Sequence, residues 1–530
     1  MAANSASIAR DDATGSANPW VVAVLVAVVT FMEVLDTTIA NVALRYISGG
    51  LAIGPDQAAW VVTSYLVANS IVLSASGWIA TVFGRRNFIL ACVALFTISS
   101  ILCGLAWDLQ SLLAFRVFQG LAGGGMTPVA QSILAASFPP QKRGQAFAIY
   151  GLAVVVAPVV GPVLGGWLSD NWSWHWCFFI NGPVGAVCFV LMSAILPDYG
   201  KKEREQLWQR GVSFDWLGFI LIATFLGALE VVLDKGQEDD WFGSSFIVTF
   251  ATISATALFI FVPWELIKRD PLIDLRLLGQ RQFASCFVVM LATGGILIST
   301  TQFLPQLLQD QFGYTATLAG EALSPGGIVT AIMMIISGRL SFIQPKYLIA
   351  TGAAFVAGGM YFSTQLYGDL NFGFFALSRM IIGAGLPLMF LPVTAASYSG
   401  IPANRTDQAS AVINIARNFG GSVGVAIAQT TLARREQFHQ SRLAEHVGSW
   451  NPFYQQALHA TQGYLAAQPH TSAGPERTAV AVIGASVQAQ TAFLAYIDVF
   501  FVLAVMAALL VPLALTLRKI DMSKGASAAL

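Results

Sequence analysis

Three charged side chains lie inside long apolar stretches: Glu33 and Asp36 in Glu33-Val34-Leu35-Asp36-Thr37-Thr38-Ile39-Ala40-Asn41, and Arg116 in Arg116-Val117-Phe118-Gln119-Gly120. Placing a charge at the centre of a bilayer costs roughly 2.5–3.5 kcal/mol on insertion scales, so such residues are kept for a reason. The i, i+3 spacing puts the two carboxylates on one helix face, and Asn41 extends the polar patch. Desolvation favours a neutral carboxyl and a nearby cation favours an ionised one. A carboxyl under both influences takes up a proton in one conformational state and loses it in another. Arg116 stays charged and must face a cavity or an acid. It can hold Asp36 when that is ionised and release it when protonated, with Gln119 on the same face. Proton coupling is the chemistry these residues suit; a fixed ion pair or helix–helix tether is the plainer reading.

A second group lies further along the chain. Gln302 and Gln306 flank Pro305, and Glu321, Arg379, Asn414, Arg417, Asn418 and Asp498 interrupt other apolar runs. Gln302, Gln306, Glu321, Asn414 and Arg417 are expected to line a substrate cavity together with Asn41 and Gln119. Glu321 is the second-half candidate for protonation or for contact with a cationic substrate. In Pro158-Val159-Val160-Gly161-Pro162-Val163-Leu164-Gly165-Gly166, the prolines Pro158 and Pro162 remove backbone donors and bend the helix. Gly161, Gly165 and Gly166 let a neighbouring backbone approach. The five cysteines all fall in apolar runs and read as buried hydrophobes. His439, His446, His459 and His470 match no metal spacing and read as solvated loop residues. With no P-loop, metal-ligand cluster or nucleophile elbow, no cofactor or resident metal is expected, and a transporter driven by an ion gradient remains.

These residues must be held by membrane helices. Of 530 residues, 56% are hydrophobic and 11% charged, with 28 Lys+Arg balancing 28 Asp+Glu and a mean hydropathy of +0.67. Soluble chains carry about 25% charged residues, so a cytosolic enzyme and a disordered chain are excluded. A nucleic-acid binder is excluded as well, since it would need a basic stripe. The apolar runs are long rather than alternating, which argues against a β-barrel. Spans of about 20 residues are expected at 20–44, 59–83, 87–107, 110–137, 144–168, 175–197, 213–233, 243–265, 282–308, 315–338, 347–367, 371–398, 407–433 and 491–517. The first is read as an uncleaved helix rather than a signal peptide. With both termini cytoplasmic, 19 of the 28 Lys and Arg fall on the inner side, 6 outside and 3 within spans, as the positive-inside rule requires. Trp20, Trp107, Trp167, Trp172, Trp174, Trp241 and Trp264 fall near span ends, where indoles sit at headgroup level.

Spaced features recur. Gly77 with Arg85 is echoed by Gly338 with Lys346 after 261 residues, Arg116-x-x-x-Gly120 by Arg379-x-x-x-Gly383 after 263, and Gly161-x-x-x-Gly165-Gly166 by Gly420-Gly421-x-x-Gly424 after 259. The expected architecture is all-α. It comprises a cytoplasmic tail (1–18), a six-helix bundle (19–200), a linker with two inserted helices (201–275), a second six-helix bundle (276–520) with an outer loop at 434–490, and a tail (521–530). Two parallel halves of this kind suit alternating access around a central site.

With these motifs in place, the chain resembles the fourteen-helix drug:H+ antiporter family of the major facilitator superfamily. The resemblance runs from Leu35-Asp36-Thr37-Thr38-Ile39-Ala40-Asn41-Val42-Ala43-Leu44 to the last span. Arg116-Val117-Phe118-Gln119-Gly120 is similar to the family's fourth-helix motif, Ala157 to Gly166 to its antiporter motif, and Trp174 to Pro183 to the entry of its sixth helix. The resemblance implies a proton-driven exporter of lipophilic drugs or toxic hydrophobic acids in a Gram-negative inner membrane. A periplasmic adaptor and an outer-membrane channel would serve as partners. Export of one endogenous metabolite or a fatty acid is the alternative. It assigns Asp36 to the coupling region and Arg116 to the proton relay. Glu33 and Arg379 match none of the family's motifs. Thr81 stands where the motif after the second helix usually has an acid, which puts the usual cytoplasmic charge latch in doubt.

Overall fold

The computed structural model describes residues 18–198, 204, 205, 208, 214–268, 271–340, 342–367, 372–401, 405–466 and 475–517. Both expected tails, apart from Asn18, and most of 199–213 lie outside the described residues. Every expected span coincides with a helix. In chain order these are α1 Pro19–Gly50, α2 Pro55–Phe83, α3 Arg85–Gly104, α4 Leu109–Ser137 and α5 Pro140–Asn171. Next come α6 Trp176–Ile195, interrupted at Ile180, then α7 Trp216–Lys235, α8 Ser245–Ile267, α9 Arg281–Asp310 and α10 Ala316–Arg339. The rest are α11 Pro345–Ser363, α12 Phe372–Ser397, α13 Thr406–Ala444, the short α14 Pro452–Ala466 and α15 Pro475–Leu515. Among the described residues, eleven helices are long and apolar enough to cross a membrane, or twelve with α5 taken as one bent span. The two that fall short are α4 and α11. α4 is lined by buried residues, including Arg116 and Gln119, so it needs little apolar surface of its own. α5 bends by 42° between Lys142–Pro158 and Val160–Asn171, where Pro158 removes a backbone donor.

The helix pairings of the first half return in the second. α1 packs on α5 as α9 packs on α13; α2 packs on α4 as α10 packs on α12; α3 packs on α4 and α6 as α11 packs on α12 and α15. The recurring glycines have matching duties. A Cβ at Gly161 would stand 2.1 Å from Thr38 Oγ1 of α1, and one at Gly420 would stand 1.9 Å from the Leu291 carbonyl of α9. The inserted hairpin α7–α8 leans on both halves, because α7 packs against α2 and α13.

The halves meet through α5 with α10, α2 with α13, α4 with α13, and α5 with α12. Polar bonds joining them gather toward one end of the bundle, called here the lower end. Trp20 of α1 stacks edge-on to Phe138 there, at 5.0 Å, and the loop after α2 meets the start of α13. Arg85 Nε and Nη2 donate to Asp407 Oδ1 and Oδ2 at 2.8 and 3.0 Å. Phe147 of α5 stacks on Tyr398, which follows α12, at 5.6 Å. Thr81 spends its hydroxyl on the Gly77 carbonyl of its own helix, at 2.8 Å. A cross-half ion pair therefore exists at this end, but its acid comes from Asp407 and not from the Thr81 position.

The upper end corrects the loop expected at 434–490. α13 runs 39 residues and α15 runs 41. At 1.5 Å per residue each is about 60 Å long, well beyond a hydrocarbon core of about 30 Å. Arg435 and His439 of α13 both reach Asp498 Oδ2 of α15, at 2.5 and 2.7 Å, so these helices continue together past the apolar segment. α14 buries no residue and packs on α15. His439 is therefore a helix–helix partner rather than a solvated loop residue, while His470 lies outside the described residues. One tryptophan also departs from expectation. Trp174 is buried because Gly50 leaves room for its indole, whose Nε1 would stand 2.6 Å from a Cβ there. All five cysteines are buried and free.

Candidate functional site

Asp36 and Arg116 meet in the interior of the first half. Arg116 Nη1 donates to Asp36 Oδ2 at 2.7 Å, and both side chains have 0% exposure. Gln119 Nε2 and Asn181 Nδ2 donate to Asp36 Oδ1 at 2.8 and 2.7 Å. Three donors thus converge on one carboxyl, an arrangement that suits the acceptor-only, ionised form. Arg116 is held in turn by α2: its Nε donates to the Val61 carbonyl at 3.0 Å, and its guanidinium lies 4.3 Å from the Tyr65 ring centroid. Its Nη1 also reaches Gln119 Oε1 at 2.8 Å, whereas Nη2 is buried without a hydrogen-bond partner among the described residues. Asn181 passes the network on to Ser100 Oγ of α3, at 3.0 Å.

The elements that hold this cluster follow from local sequence. Gly120 and Gly124 bring α4 against α2, since Cβ atoms there would stand 2.4 and 2.2 Å from the Tyr65 and Asn69 carbonyls. That approach places Arg116 over Tyr65. The break at Ile180 starts the second part of α6 at Asn181 and turns its amide toward Asp36. Protonating Asp36 would put a donor among three donors and remove the charge that holds Arg116. The cluster can therefore switch between a locked and a loosened contact of α1 with α4 and α6.

Glu33 shares the face of Asp36 but has its own partner, accepting from Thr127 Oγ1 of α4 at 2.8 Å. Asn414 and Arg417 join a second polar network deeper toward the lower end. Asn414 Nδ2 donates to Gln131 Oε1 at 2.8 Å, Gln131 Nε2 to the Tyr150 hydroxyl at 2.9 Å, and Arg417 Nη1 to the same hydroxyl at 3.3 Å. Tyr398 and Ser410 reach Gln131 Oε1 as well, at 3.2 and 3.4 Å. This network ties α4 and α5 to α12 and α13. Gln302 and Gln306 are half-buried on α9, while Asn41 and Glu321 are exposed and stand apart from both networks. Gly161 and Gly165 form the close contact with α1, against Thr38 and Ile39. Pro158 and Pro162 line a small cavity with Thr301, Pro305, Gly320, Leu323 and Arg379, and Gly166 is buried beside them on α5.

Sequence reasoning gave no role to Asn181, Gln131, Tyr150, Ser410 or Tyr398. Gln131 carried a usable signal, as an amide in the apolar, Gly-rich stretch of α4 that follows Arg116 and Gln119. Glu230 of α7 likewise drew no role from the sequence. It is buried and accepts from Ser422 Oγ of α13 at 2.8 and 3.0 Å.

The Major Facilitator Superfamily model matches residues 26–425. The chain is 37% identical to the multidrug export protein EmrB of Haemophilus influenzae, covering 84% of this chain and 86% of that one. It is 38% identical to the fatty acid resistance protein FarB of Neisseria gonorrhoeae, over 86% and 88%. To EmrB of Escherichia coli K12 it is 35% identical, over 85% and 88%. The proton:xylose symporter XylE bound to 6-bromo-6-deoxy-D-glucose shares the fold, with a TM-score of 0.56, 13% identity and coverage of 94% and 96%. The human organic anion transporter MFSD10 does so with a TM-score of 0.56, 12% identity and coverage of 93% and 100%. Paired helix packing in two halves, a multi-pass apolar chain and a match over most of its length agree: the chain belongs to the major facilitator superfamily.

Proposed function

We propose that the protein is a proton-driven multidrug efflux transporter that exports lipophilic drugs or hydrophobic acids by alternating access. The observation that carries this reading is the Asp36–Arg116 pair, fully buried at 2.7 Å in the first half. A buried ion pair is weak evidence for stability, since desolvation offsets its attraction. It is well suited to a proton-dependent lock, because removing one charge leaves the other uncompensated. The relatives named EmrB support drugs as cargo, and FarB supports fatty acids.

In this reading the chain has fourteen spans with both termini cytoplasmic, in halves 19–200 and 276–520 joined by the linker 201–275 that carries α7 and α8. The lower end is cytoplasmic, as its Arg85, Arg86, Lys142 and Arg143 favour. The structure then has its cytoplasmic end closed by the Arg85–Asp407 pair and the Gln131 network. The membrane is the inner membrane of a Gram-negative cell. The projecting parts of α13 and α15 with α14 form a surface for a periplasmic adaptor that leads to an outer-membrane channel. This assembly is what the resemblance to the drug:H+ antiporter family implies.

The test is exchange in proteoliposomes with an imposed pH gradient. Wild-type protein releases protons when substrate is added. Asp36→Asn abolishes that release while the protein still inserts and binds substrate, and Arg116→Ala blocks transport without blocking expression. Unchanged proton release by Asp36→Asn removes Asp36 from the mechanism, and normal efflux by Arg116→Ala makes Arg116 a tether.

A further inference from the structure

We propose that Arg379 and the cavity around it form the site that takes the carboxylate of an amphiphilic acid. The inference rests on the export reading above and names the cargo class that this second-half site selects.

Arg379 lies on α12 and is only 3% exposed. Its single hydrogen bond among the described residues is from Nη1 to the Thr300 carbonyl of α9, at 3.3 Å. No carboxylate among the described residues pairs with it or bears on it electrostatically. A guanidinium has five N–H donors, and a buried cation without a counter-charge is among the costliest groups a protein can hold. Arg116 and Arg85 are neutralised by Asp36 and Asp407, and the buried Arg417, which forms no ion pair among the described residues, donates to Asn418 Oδ1 and the Tyr150 hydroxyl instead.

The internal repeat shows what is missing. Arg379 follows Arg116 by 263 residues, and the same offset carries Asp36 to Ser299. At that offset from Asp36 the second half has a hydroxyl, and the next residue, Thr300, gives Arg379 its carbonyl. Ser299 is 0% exposed, and its Oγ has no hydrogen-bond partner among the described residues. Two neighbouring positions on α9, Ser299 and Thr300, therefore offer an unused hydroxyl and the carbonyl that steadies the arginine.

Apart from Thr301, whose hydroxyl donates to the Leu297 carbonyl of its own helix at 2.9 Å, the cavity that Arg379 lines is apolar. Pro158 and Pro162 of α5, Pro305 of α9, and Gly320 and Leu323 of α10 surround it. Gly326 of α10 makes room for the arginine, since a Cβ there would stand 2.2 Å from Arg379 Cγ. The cavity thus lies between the first half, through the bent part of α5, and three helices of the second. In this structure the cavity has room for only about 10 Å³, about one water; once the halves part, a carboxylate can bind the free guanidinium donors in bidentate fashion while an alkyl or aryl tail lies against the prolines and Leu323. A cation is repelled, and a neutral amphiphile gains only the apolar contacts. Because α5 and α9–α12 belong to different halves, an acid bound here also touches the surfaces that separate in alternating access.

The experiment is competition binding to the full-length protein in nanodiscs with three probes: dodecanoate, dodecanol and tetraphenylphosphonium. A hydrogen bond to a charged group contributes about 1.5–3 kcal/mol, which is roughly tenfold or more in affinity. Arg379→Gln is expected to lower the dodecanoate-to-dodecanol affinity ratio about tenfold or more, and Arg379→Lys to restore part of it. Ser299→Asp, which supplies the acid that the repeat lacks, is expected to lower the ratio similarly while raising the melting temperature or leaving it unchanged. An unchanged ratio in Arg379→Gln and Ser299→Asp overturns the proposal and makes Arg379 a strut for α9. Wild-type protein that moves none of the three probes under a pH gradient overturns the export reading, whatever the binding ratios. Wild-type protein that moves dodecanol or tetraphenylphosphonium with an Arg379-independent ratio overturns this inference alone.

Discussion

The pair between Arg85 and Asp407 joins the two halves at the lower end, and its contribution to holding that end shut can be worked from its geometry. The bond is bidentate, at 2.8 and 3.0 Å, and the side chains are 15% and 9% exposed. Exposed ion pairs contribute about 0–1 kcal/mol, while removing one partner of a fully buried pair costs about 3–5 kcal/mol. A bidentate, mostly buried but not dry pair falls between, at about 1.5–3 kcal/mol. That corresponds to a shift of roughly 10- to 150-fold in the ratio of closed to open lower end. The perturbations are Asp407→Asn, Arg85→Gln and both together. The assay is the distance between spin labels at Phe83→Cys and Phe342→Cys, exposed positions in different halves. The five native cysteines are buried and contribute little background. Each single change should raise the open population, and the double change should add little to either, giving a coupling energy of about 1.5–3 kcal/mol. A coupling below about 0.5 kcal/mol, or label distances that all three variants leave alone, refutes the latch and leaves the Gln131 network as the closure.

Two further outcomes follow from the packing. Gly161→Val places a Cβ 2.1 Å from Thr38 Oγ1, so it should cost about 1–3 kcal/mol of stability and slow turnover. Gly165→Ala, whose Cβ meets Ile39 at 3.3 Å, should be milder; equal thermal melting of the two would show that α1 and α5 are not in close contact. On α7, Glu230→Gln keeps a bond to Ser422 and should change unfolding free energy by less than about 1 kcal/mol, whereas Glu230→Ala loses it and should cost about 1–3 kcal/mol. Equal losses in denaturation would mean that the bond between α7 and α13 does not hold the inserted hairpin.

What the sequence made legible was charge and apolar length. Asp36 and Arg116 stood out because few charges occur in apolar runs, and their partnership is the one found. The helices came from continuous hydrophobicity, but α13 and α15 outrun it: beyond the apolar segment a helix of Gln, Arg and Glu leaves no signal at its true end. Neutral polar residues were equally silent. Asn181, Tyr150 and Ser410 look like ordinary members of apolar helices, and only tertiary packing turns them onto Asp36 and Gln131. Asn41 and Glu321 are exposed and join neither network, and residue type alone says nothing about which neighbour a helix face meets. Thr81 stands where the resemblance implies an acid, yet a cross-half ion pair forms at this end because Arg85 meets Asp407, 322 residues further along the chain. No local motif can report so distant a partner.

These features connect the Asp36–Arg116 cluster to the lower-end contacts between the halves through one helix. Asp36 and Thr38 are neighbours on α1, and Thr38 is the residue against which Gly161 of α5 is pressed. α5 continues past its 42° bend to pack along α10 of the other half, with Gly151 beside Met334 and Gly338 beside Ala148. A change in how Asp36 holds Arg116 alters the seat of α1, and α1 cannot shift without α5 because no side chain cushions the contact at Gly161. α5 in turn forms part of the wall of the Arg379 cavity through Pro158 and Pro162. In the proposed mechanism, proton uptake at Asp36 and cargo binding at Arg379 would press on the same bent segment from opposite sides. That shared segment gives proton and cargo a route to compete without sharing a single side chain.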